Sequence, residues 1–277
     1  MLDPLMLSFL ACAAVCAFTW VASLITGNSS WVDRSWSIAP IVYLGIFAGA
    51  AGFTHPVVNV MFLLVTAWGA RLTFNFWRKG GYQRGGEDYR WPVLKEAMKP
   101  WQYQVFNLFF IVIFQNVLVW LITVPAWVVL EAPSEAFGPL QLLLTILFLG
   151  LLVMETVADQ QQWNFHQAKA RAREAGAKPA QDFLDTGLFR FSRHPNFFAE
   201  QSQWWVIWGF GALVSGSLVH WSAVGPLLLT ALFIGSTRFT ESLTLAKYPA
   251  YREYQQRTSV IIPWVPRADT QPVKQTG

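Results

Sequence analysis

The chain has few charged residues, and this scarcity argues against an ordinary soluble domain. Only 13% of its 277 residues are Asp, Glu, Lys or Arg, whereas 54% are hydrophobic. A soluble domain normally carries about a quarter charged residues. The net charge of +4 comes without a basic domain or a recognisable nucleic-acid-binding module, so we expect no nucleic acid among the partners.

Cysteine is also scarce, which excludes a disulfide framework. The two cysteines, Cys12 and Cys16, stand one helical turn apart in an apolar stretch, where we expect them to fill space. No Cys/His cluster has metal-ligand spacing, so we predict no metal site. The chain has no P-loop and no Gly-x-Gly-x-x-Gly after a strand, so we expect neither a P-loop nor a Rossmann nucleotide site.

The chain is rich in long apolar runs. Seven segments are long enough to span a bilayer, at about residues 5–26, 36–53, 56–77, 104–130, 138–163, 197–218 and 221–245. Backbone groups inside a bilayer must pair internally, so we expect helices. We therefore predict an all-α polytopic membrane protein with about seven transmembrane helices in contact with membrane lipids. One catalytic domain is predicted over 1–264, followed by a disordered tail over 265–277.

The placement of Lys and Arg predicts the orientation. Basic residues concentrate in the loops at 78–103 and 164–196 and in the C-terminal tail, whereas the links near 54, 131–137 and 215–220 have none. By the positive-inside rule, these loops and the C-terminus are cytoplasmic and the N-terminus is outside. We predict a monomer in a bacterial inner membrane, with an active site that opens to the cytoplasm.

The strongest functional signal is the stretch 190–200, Arg-Phe-Ser-Arg-His-Pro-Asn-Phe-Phe-Ala-Glu, at the start of an apolar helix. Pro195 suits the first helical turn. Arg193 and the free N–H groups of a helix start form an anion site. Asn196 and Glu200 are four residues apart, so they share one helix face. The alternative is an interfacial anchor with snorkelling arginines.

Ionisable residues also occur within or at the ends of the apolar segments. They are Asp33, Arg71, Glu155, Asp159, Glu200, Arg238 and Glu241. Arg71, Asn75 and Arg78 follow helical spacing and form one polar stripe, whereas Glu155 and Asp159 form a like-charge pair on one face. Such residues indicate a functional pocket by default. Structural ion pairing between helices is the alternative.

Two cytoplasmic segments resemble lids. The first, 84–92, combines two glycines with Asp88, Tyr89, Arg90 and Trp91; the second, 241–264, carries Tyr248, Tyr251 and Tyr254 at three-residue spacing. Hydroxyls and rings at that spacing can grip a nucleotide. Tyrosines at a membrane surface are also typical of an aromatic belt, and a Gly-Gly pair is often only a turn.

These residues resemble a known family. Arg193-His194-Pro195-Asn196-Phe197 with Glu200, then Glu241 and the tyrosine-rich segment before Pro263, resemble the C-terminal half of the steroid 5α-reductase superfamily. That superfamily includes the isoprenylcysteine carboxyl methyltransferases and the sterol C14 and C7 reductases. The N-terminal half is similar to bacterial members of the steroid-reductase branch through 31–36 and 87–91.

The resemblance implies a membrane oxidoreductase that uses NADPH. It implies reduction of a carbon–carbon double bond beside a ketone in a lipophilic steroid or lipid enone, with Asp33 as the catalytic acid. The cofactor-binding residues that it implies are Arg71, Asn75, Asp88, Tyr89, Arg90, Asp159, Arg193, His194, Asn196, Glu200, Glu241, Tyr251 and Tyr254. Two positions depart from the family pattern: Trp68 stands where the tyrosine partner of the acid falls, and Glu155 replaces an asparagine.

Two other functions remain open. A methyltransferase of the isoprenylcysteine type would bind S-adenosylmethionine at the same place, although the many arginines favour a phosphorylated cofactor. A lipid- or sterol-binding protein without catalysis would need only an apolar cavity, which leaves the cluster around Arg193 unexplained.

Overall fold

The computed structural model describes residues 2–133 and 136–267, so most of the predicted disordered tail lies outside the described residues. Within this part every regular element is helical, which confirms the all-α class. The helices are α1 (Pro4–Thr26), α2 (Trp31–Trp36), α3 (Ala39–Ala50), α4 (Pro56–Arg78), α5 (Arg90–Ala97), α6 (Pro100–Phe106), α7 (Gln115–Leu121), α8 (Val124–Glu131), α9 (Pro139–Glu174), α10 (Pro195–Ser215), α11 (Val224–Lys247) and α12 (Tyr251–Arg257). A π-helical stretch, Asn107–Phe114, joins α6 to α7.

Five of the helices begin with proline. The first residues of α1, α4, α6, α9 and α10 are all proline. Proline fits there because the first N–H groups of a helix have no partner within the helix. At the other end of α1, Gly27 has φ of 65°, a left-handed conformation that closes the helix and that glycine adopts without strain.

Five helical segments are long and apolar enough to cross a membrane, which supports the membrane class. They are Pro4–Thr26, Pro56–Arg78, Pro100–Glu131, Pro139–Glu174 and Trp221–Lys247. The predicted count of seven is not confirmed.

The two other predicted spans contain helices that are not among these five segments. The span predicted at 36–53 contains α3, which has only 12 residues and is therefore about 18 Å long, too short to cross. The span predicted at 197–218 contains α10, which has 21 residues but is not among the five apolar segments. The orientation stays a prediction.

The chain forms two compact units. The first comprises Met1–Gly150 with Gln201–Ala231, and the second comprises Leu151–Glu200 with Leu232–Gly277. Helices α9, α10 and α11 each contribute residues to both. The single catalytic domain that the sequence predicts over 1–264 stays a prediction.

In the first unit, α1 buries its polar residues and exposes its apolar ones. Its buried residues are Ser8, Cys12, Thr19 and Ser23, which follow one face of the helix. Three side chains of the Pro100–Glu131 segment donate to this face: Trp120 to Ser8 over 2.9 Å, Asn116 to Thr19 over 3.1 Å and Asn107 to Ser23 over 3.1 Å. Such hydrogen bonds join helices in a medium where apolar surface adds no driving force.

The π-helical stretch supports one wall of the first unit. Phe106, Phe110 and Phe114 stack in a column, with ring centroids 4.9 and 5.4 Å apart. Phe106 and Phe110 pack against a buried cluster formed by Val32, Trp91, Tyr103 and Ile111. This packing places the Trp91 ring beside α2, the helix that carries Asp33.

In the second unit, the segment after α12 runs beside the start of α10. The N–H of Arg193 donates to the carbonyl of Ser259 over 2.9 Å, and the N–H of Trp264 donates to the carbonyl of Phe191 over 2.9 Å. Phe197 stacks on Phe233 of α11 with centroids 4.6 Å apart. The basic stretch at 190–200 is therefore held between α11 and the C-terminal segment.

Candidate functional site

Asp33 is the central carboxyl group of the first unit. It lies in the first turn of α2, is partly buried, and accepts a hydrogen bond from the indole N–H of Trp91 over 2.9 Å. Burial raises its pKa, and the negative charge of Asp88 adds to that rise, while Arg90 and the hydrogen bonds from Trp91 and Ser30 oppose it. The net direction is upward, so the neutral acid is favoured relative to an exposed aspartate.

Asp88 and Arg90 form an ion pair near this acid. Arg90 donates from Nε to one Asp88 oxygen over 2.8 Å and from Nη2 to the other over 3.0 Å. The Asp88 N–H donates to the Ser30 hydroxyl over 2.8 Å, which attaches the pair to the residue before α2. Tyr89, between them, is exposed. Two of the three predicted ligands in this segment thus bind each other.

The glycine-rich segment predicted as a lid is bound to α2 through Arg34. Arg34 donates from Nε to the Gly81 carbonyl over 3.0 Å and from Nη2 to the Gly86 carbonyl over 2.9 Å. A Cβ on Gly86 would lie 2.5 Å from the Gly80 oxygen, so the chain can pack this closely only with glycine. Asn28 donates to the Gly86 carbonyl as well, over 2.9 Å. The glycine-rich segment is therefore a tight turn that surrounds the guanidinium group of Arg34.

The predicted polar stripe on α4 is present. Asn75 is buried and accepts a hydrogen bond from Nε of Arg78 over 2.9 Å. Arg71 is partly buried one turn before Asn75. Trp68, which stands where the steroid reductases have a tyrosine, is fully buried. Its ring is in edge-to-face contact with Trp204, with centroids 4.9 Å apart.

In the second unit, Arg193 and Glu241 form a buried bidentate ion pair. Nε of Arg193 donates to one carboxylate oxygen over 2.7 Å, and Nη2 donates to the other over 3.0 Å. His194 Nε2 lies 3.0 Å from the first oxygen, and the Gln255 amide donates to the second over 2.9 Å. Two parallel N–H bonds to one carboxylate are among the strongest and most directional pairs in proteins.

The remaining nitrogen of Arg193 holds the C-terminal segment. Nη1 donates to the carbonyl of Gln255 over 2.9 Å and to the carbonyl of Thr258. Each guanidinium nitrogen therefore already donates within the protein, and the side chain is 8% exposed. Arg193 joins α10, α11 and α12, and this use competes with the phosphate binding predicted for it.

Tyr251 and Tyr254 belong to the core of the second unit. They are buried, and Phe183 contacts both rings, with centroids 5.1 and 5.6 Å away. The Tyr254 hydroxyl donates to the Phe189 carbonyl. Burial raises the pKa of both phenols. Of the three tyrosines predicted to grip a nucleotide, only Tyr248 is partly exposed, and its hydroxyl lies 3.0 Å from Lys169 Nζ.

The first turn of α10 presents the more accessible predicted residues. His194 precedes the helix and Asn196 is its second residue, and both are partly exposed. Glu200, one turn further on, is buried. Glu155 and Asp159 are buried on α9, at 1% and 4% exposure. Four carboxylates and one arginine, Arg193, are thus buried in the described part of the second unit.

Two contact residues were not among the predicted site residues. Trp91 lies in the predicted lid segment, and its position close to Glu87, Asp88 and Arg90 in the sequence was a usable signal. Gln255 belongs to a run of polar residues on α12, and no pattern in the sequence distinguishes it from Gln256.

Comparison with known proteins gives a family without an assigned activity. Residues 19–258 match the model of a family described as a protein of unknown function, DUF1295. An uncharacterized protein of the fission yeast Schizosaccharomyces pombe is 40% identical over 258 residues, which cover 88% of this chain and 75% of the yeast protein. No solved structure matches the chain.

Proposed function

The chain belongs to the DUF1295 family, and we propose that it is a membrane-embedded, NADPH-dependent reductase. Its substrate is a 3-oxo-Δ4-steroid or a similar lipid enone, and the reaction reduces the carbon–carbon double bond beside the ketone. The resemblance to the steroid 5α-reductases at 31–36, 87–91 and 193–200 supports this choice. The proposal also places the protein in a bacterial inner membrane, with the reaction on the cytoplasmic side.

The observation that carries the proposal is the environment of Asp33. A partly buried carboxyl with a raised pKa keeps its proton to higher pH than an exposed aspartate does, and the protonated form can donate a hydrogen bond. During reduction of an enone, negative charge develops on the carbonyl oxygen. A donor placed at that oxygen stabilises the transition state more than the ground state, which is what accelerates the chemical step.

The other residues around Asp33 orient the acid. Trp91 donates to one carboxyl oxygen and so restricts the rotation of the carboxyl group. The Asp88–Arg90 pair is attached to Ser30, three residues before the acid, and so fixes the start of α2. NADPH, when bound, would supply the hydride for the β-carbon of the enone, and water would supply the proton for the α-carbon.

For the cofactor, the first turn of α10 is the part of the second unit that fits a phosphate best. A helix start offers N–H groups and a positive dipole end, and His194 and Asn196 flank it with partly exposed polar side chains. Arg193 does not fit a direct phosphate contact, because its nitrogens already donate to Glu241, Gln255 and Thr258. We assign Arg193 and Glu241 to holding this helix start in place.

One observation favours the methyltransferase alternative. The described part of the second unit buries four carboxylates, Glu155, Asp159, Glu200 and Glu241. Buried carboxylates suit a sulfonium cation such as S-adenosylmethionine better than they suit the phosphates of NADPH. The enone reductase remains our proposal because it also uses Asp33.

The test is a binding titration of the purified full chain in detergent with NADPH, NADH and S-adenosylmethionine. The reductase proposal expects saturable binding of NADPH that is tighter than that of NADH, together with NADPH oxidation when a Δ4-3-ketosteroid is added. Binding of S-adenosylmethionine without binding of NADPH would replace the proposal with the methyltransferase. Binding of neither cofactor, with binding of steroid alone, would indicate a lipid-binding protein.

A further inference from the structure

Two buried tryptophans of the first unit have indole N–H groups that donate to no acceptor in the described part of the chain. Trp68 of α4 is 0% exposed and Trp204 of α10 is 2% exposed. Their rings are in edge-to-face contact, with centroids 4.9 Å apart and planes at 80°. Within residues 2–133 and 136–267, neither indole N–H has a hydrogen-bond acceptor.

Other tryptophans of this unit do have acceptors. The indole N–H groups of Trp31, Trp91, Trp120 and Trp205 donate to Thr26, Asp33, Ser8 and Thr230 over 2.8 to 3.2 Å. Trp127 and Trp208 also lack an acceptor in the described part, but their rings are only partly buried. An unsatisfied buried donor costs about 1–3 kcal/mol, so two at one contact require an explanation.

Helix α4 packs closely against α3 directly beside Trp68. The next residue, Gly69, lies against α3: a Cβ there would overlap the Ser37 carbonyl oxygen and lie 2.7 Å from the end of the Ile41 side chain. The Ser37 and Thr73 hydroxyls hydrogen-bond over 2.7 Å on the same side of α4. Met61, Leu64 and Val65, in the turns of α4 before Trp68, are buried as well. The Trp68 ring therefore follows a buried apolar face of α4.

We infer that Trp68 and Trp204 donate their N–H groups to an oxygen of the lipophilic substrate, and that this oxygen is distinct from the enone carbonyl. An indole nitrogen only donates, so its partner must be an acceptor, and a carbonyl oxygen has two lone pairs for two donors. An anion is disfavoured because burial penalises a bare charge and the contact itself is made by two neutral aromatic side chains.

The count of donors assigns the indoles to a second oxygen. The proposed function uses one lone pair of the enone oxygen for Asp33, and two more donors would exceed what that oxygen accepts. The inference rests on the proposed function for the identity of the enone. It adds that the substrate class is a lipid with two oxygen functions, the second of which is a ketone or another neutral acceptor.

The experiment compares two enones that differ only in the second oxygen. Androst-4-en-3-one has the enone alone, whereas androstenedione adds a ketone on the far ring. With the full-length protein and NADPH, kcat/KM should be at least about tenfold higher for androstenedione, because a site that donates to an oxygen rejects the analogue without it. Equal kcat/KM for the two steroids would overturn the inference while leaving the reductase proposal intact. Failure of both to react would instead count against the reductase proposal.

A shape-preserving substitution tests the donors themselves. Benzothienylalanine at position 68 or 204 replaces the N–H with sulfur and keeps the ring. We expect each replacement to reduce the preference for androstenedione over androst-4-en-3-one, both in kcat/KM and in the rise in Tm on steroid binding. The Tm of the ligand-free protein should stay unchanged or become higher. The Tm measurements do not depend on turnover.

Trp205 provides the matched control. Its N–H already donates to Thr230 over 3.2 Å, so benzothienylalanine there should lower the Tm slightly and leave the steroid preference as in the wild type. A lower ligand-free Tm at 68 and 204, with an unchanged steroid preference, would mean that each N–H points at the neighbouring ring and serves only the fold. That outcome would overturn the inference.

Discussion

The indole N–H of Trp91 donates to a carboxyl oxygen of Asp33 over 2.9 Å, across 58 positions of the chain. A hydrogen bond to a carboxylate stabilises its charged form, whereas burial stabilises the neutral form. At Asp33 burial is the larger effect, so the pKa is raised while Trp91 limits the rise. The protonation state of the proposed acid is therefore adjustable through this one contact.

Replacing Trp91 should raise the pKa of Asp33 further. Trp91→Phe removes the donor and keeps an aromatic ring, so the pKa should rise further, because the charged form of Asp33 loses a hydrogen bond. The measurement is the pH dependence of the carboxyl infrared band, assigned by its loss in Asp33→Asn. Trp31→Phe is the control, because Trp31 donates to Thr26 and not to Asp33. An unchanged band in Trp91→Phe would contradict the contact.

The stability of the protein should fall as the pH rises, because the buried Asp33 carboxyl must then lose its proton. Because the folded pKa is raised, this group's contribution is fully present below its unfolded pKa of about 3.9 and is lost as pH rises through the folded value. Asp33→Asn cannot titrate, so its Tm should exceed that of the wild type above this window. Tm is followed from acid to neutral pH, with Glu96→Gln, an exposed carboxylate of α5, as the control. A wild-type curve parallel to that of Asp33→Asn would count against a buried acid.

Removal of the acid should abolish most of the turnover. Asp33→Leu eliminates the donor to the enone oxygen, and one such donor is typically worth roughly 3 kcal/mol, or about 150-fold in rate. Asp33→Asn should retain some activity, since an amide still donates. Single-turnover NADPH oxidation with testosterone measures both, and the NADPH Kd should stay unchanged. A folded Asp33→Leu protein with wild-type rates would remove Asp33 from the mechanism.

Breaking the Arg193–Glu241 pair should unfold the second unit before it alters chemistry. Glu241→Ala leaves a buried guanidinium without its carboxylate, which typically costs about 3–5 kcal/mol. The double variant Arg193→Met with Glu241→Met should be less destabilised than Glu241→Ala, because no bare charge remains. Denaturant unfolding in detergent measures this, with Glu253→Ala, an exposed position of α12, as the control. Equal stability of Glu241→Ala and the wild type would contradict the structural role.

Asn196 should affect cofactor binding rather than folding. Asn196→Ala removes a partly exposed amide from the first turn of α10, so we expect about tenfold weaker NADPH binding, equivalent to about 1.4 kcal/mol, with an unchanged Tm. Arg252→Ala removes an exposed charge from α12 and should leave the Kd unchanged. If both variants weaken NADPH equally, binding reflects general electrostatics and not a site at this helix start.

Several elements could be predicted from the sequence because local chemistry specifies them. Pro56 and Pro195 predict helix starts, since proline has no N–H to lose there, and α4 and α10 begin at these residues. Long apolar runs predict membrane helices, and five such segments are present. The span predicted at 36–53 is not confirmed, because hydropathy does not register that α3 begins only at Ala39 and ends at Ala50.

The partners of the charged and aromatic side chains could not be predicted. Spacing placed Arg193 and Glu241 near helix ends, but nothing local indicates that they bind each other across 48 positions. Three-residue spacing made Tyr248, Tyr251 and Tyr254 equivalent, whereas packing against Phe183 buries the last two and leaves the first partly exposed.

The sequence by itself determined that this protein is helical and lies in a membrane, because apolar length and proline position act locally along the chain. Only the tertiary structure decided which polar groups form hydrogen bonds within the protein and which are left to bind a ligand. Arg193 is satisfied by Glu241 and the C-terminal segment, whereas the N–H groups of Trp68 and Trp204 have no acceptor in the described part of the chain. That division depends on which helix faces meet, and helix faces are brought together by packing between residues far apart in the sequence.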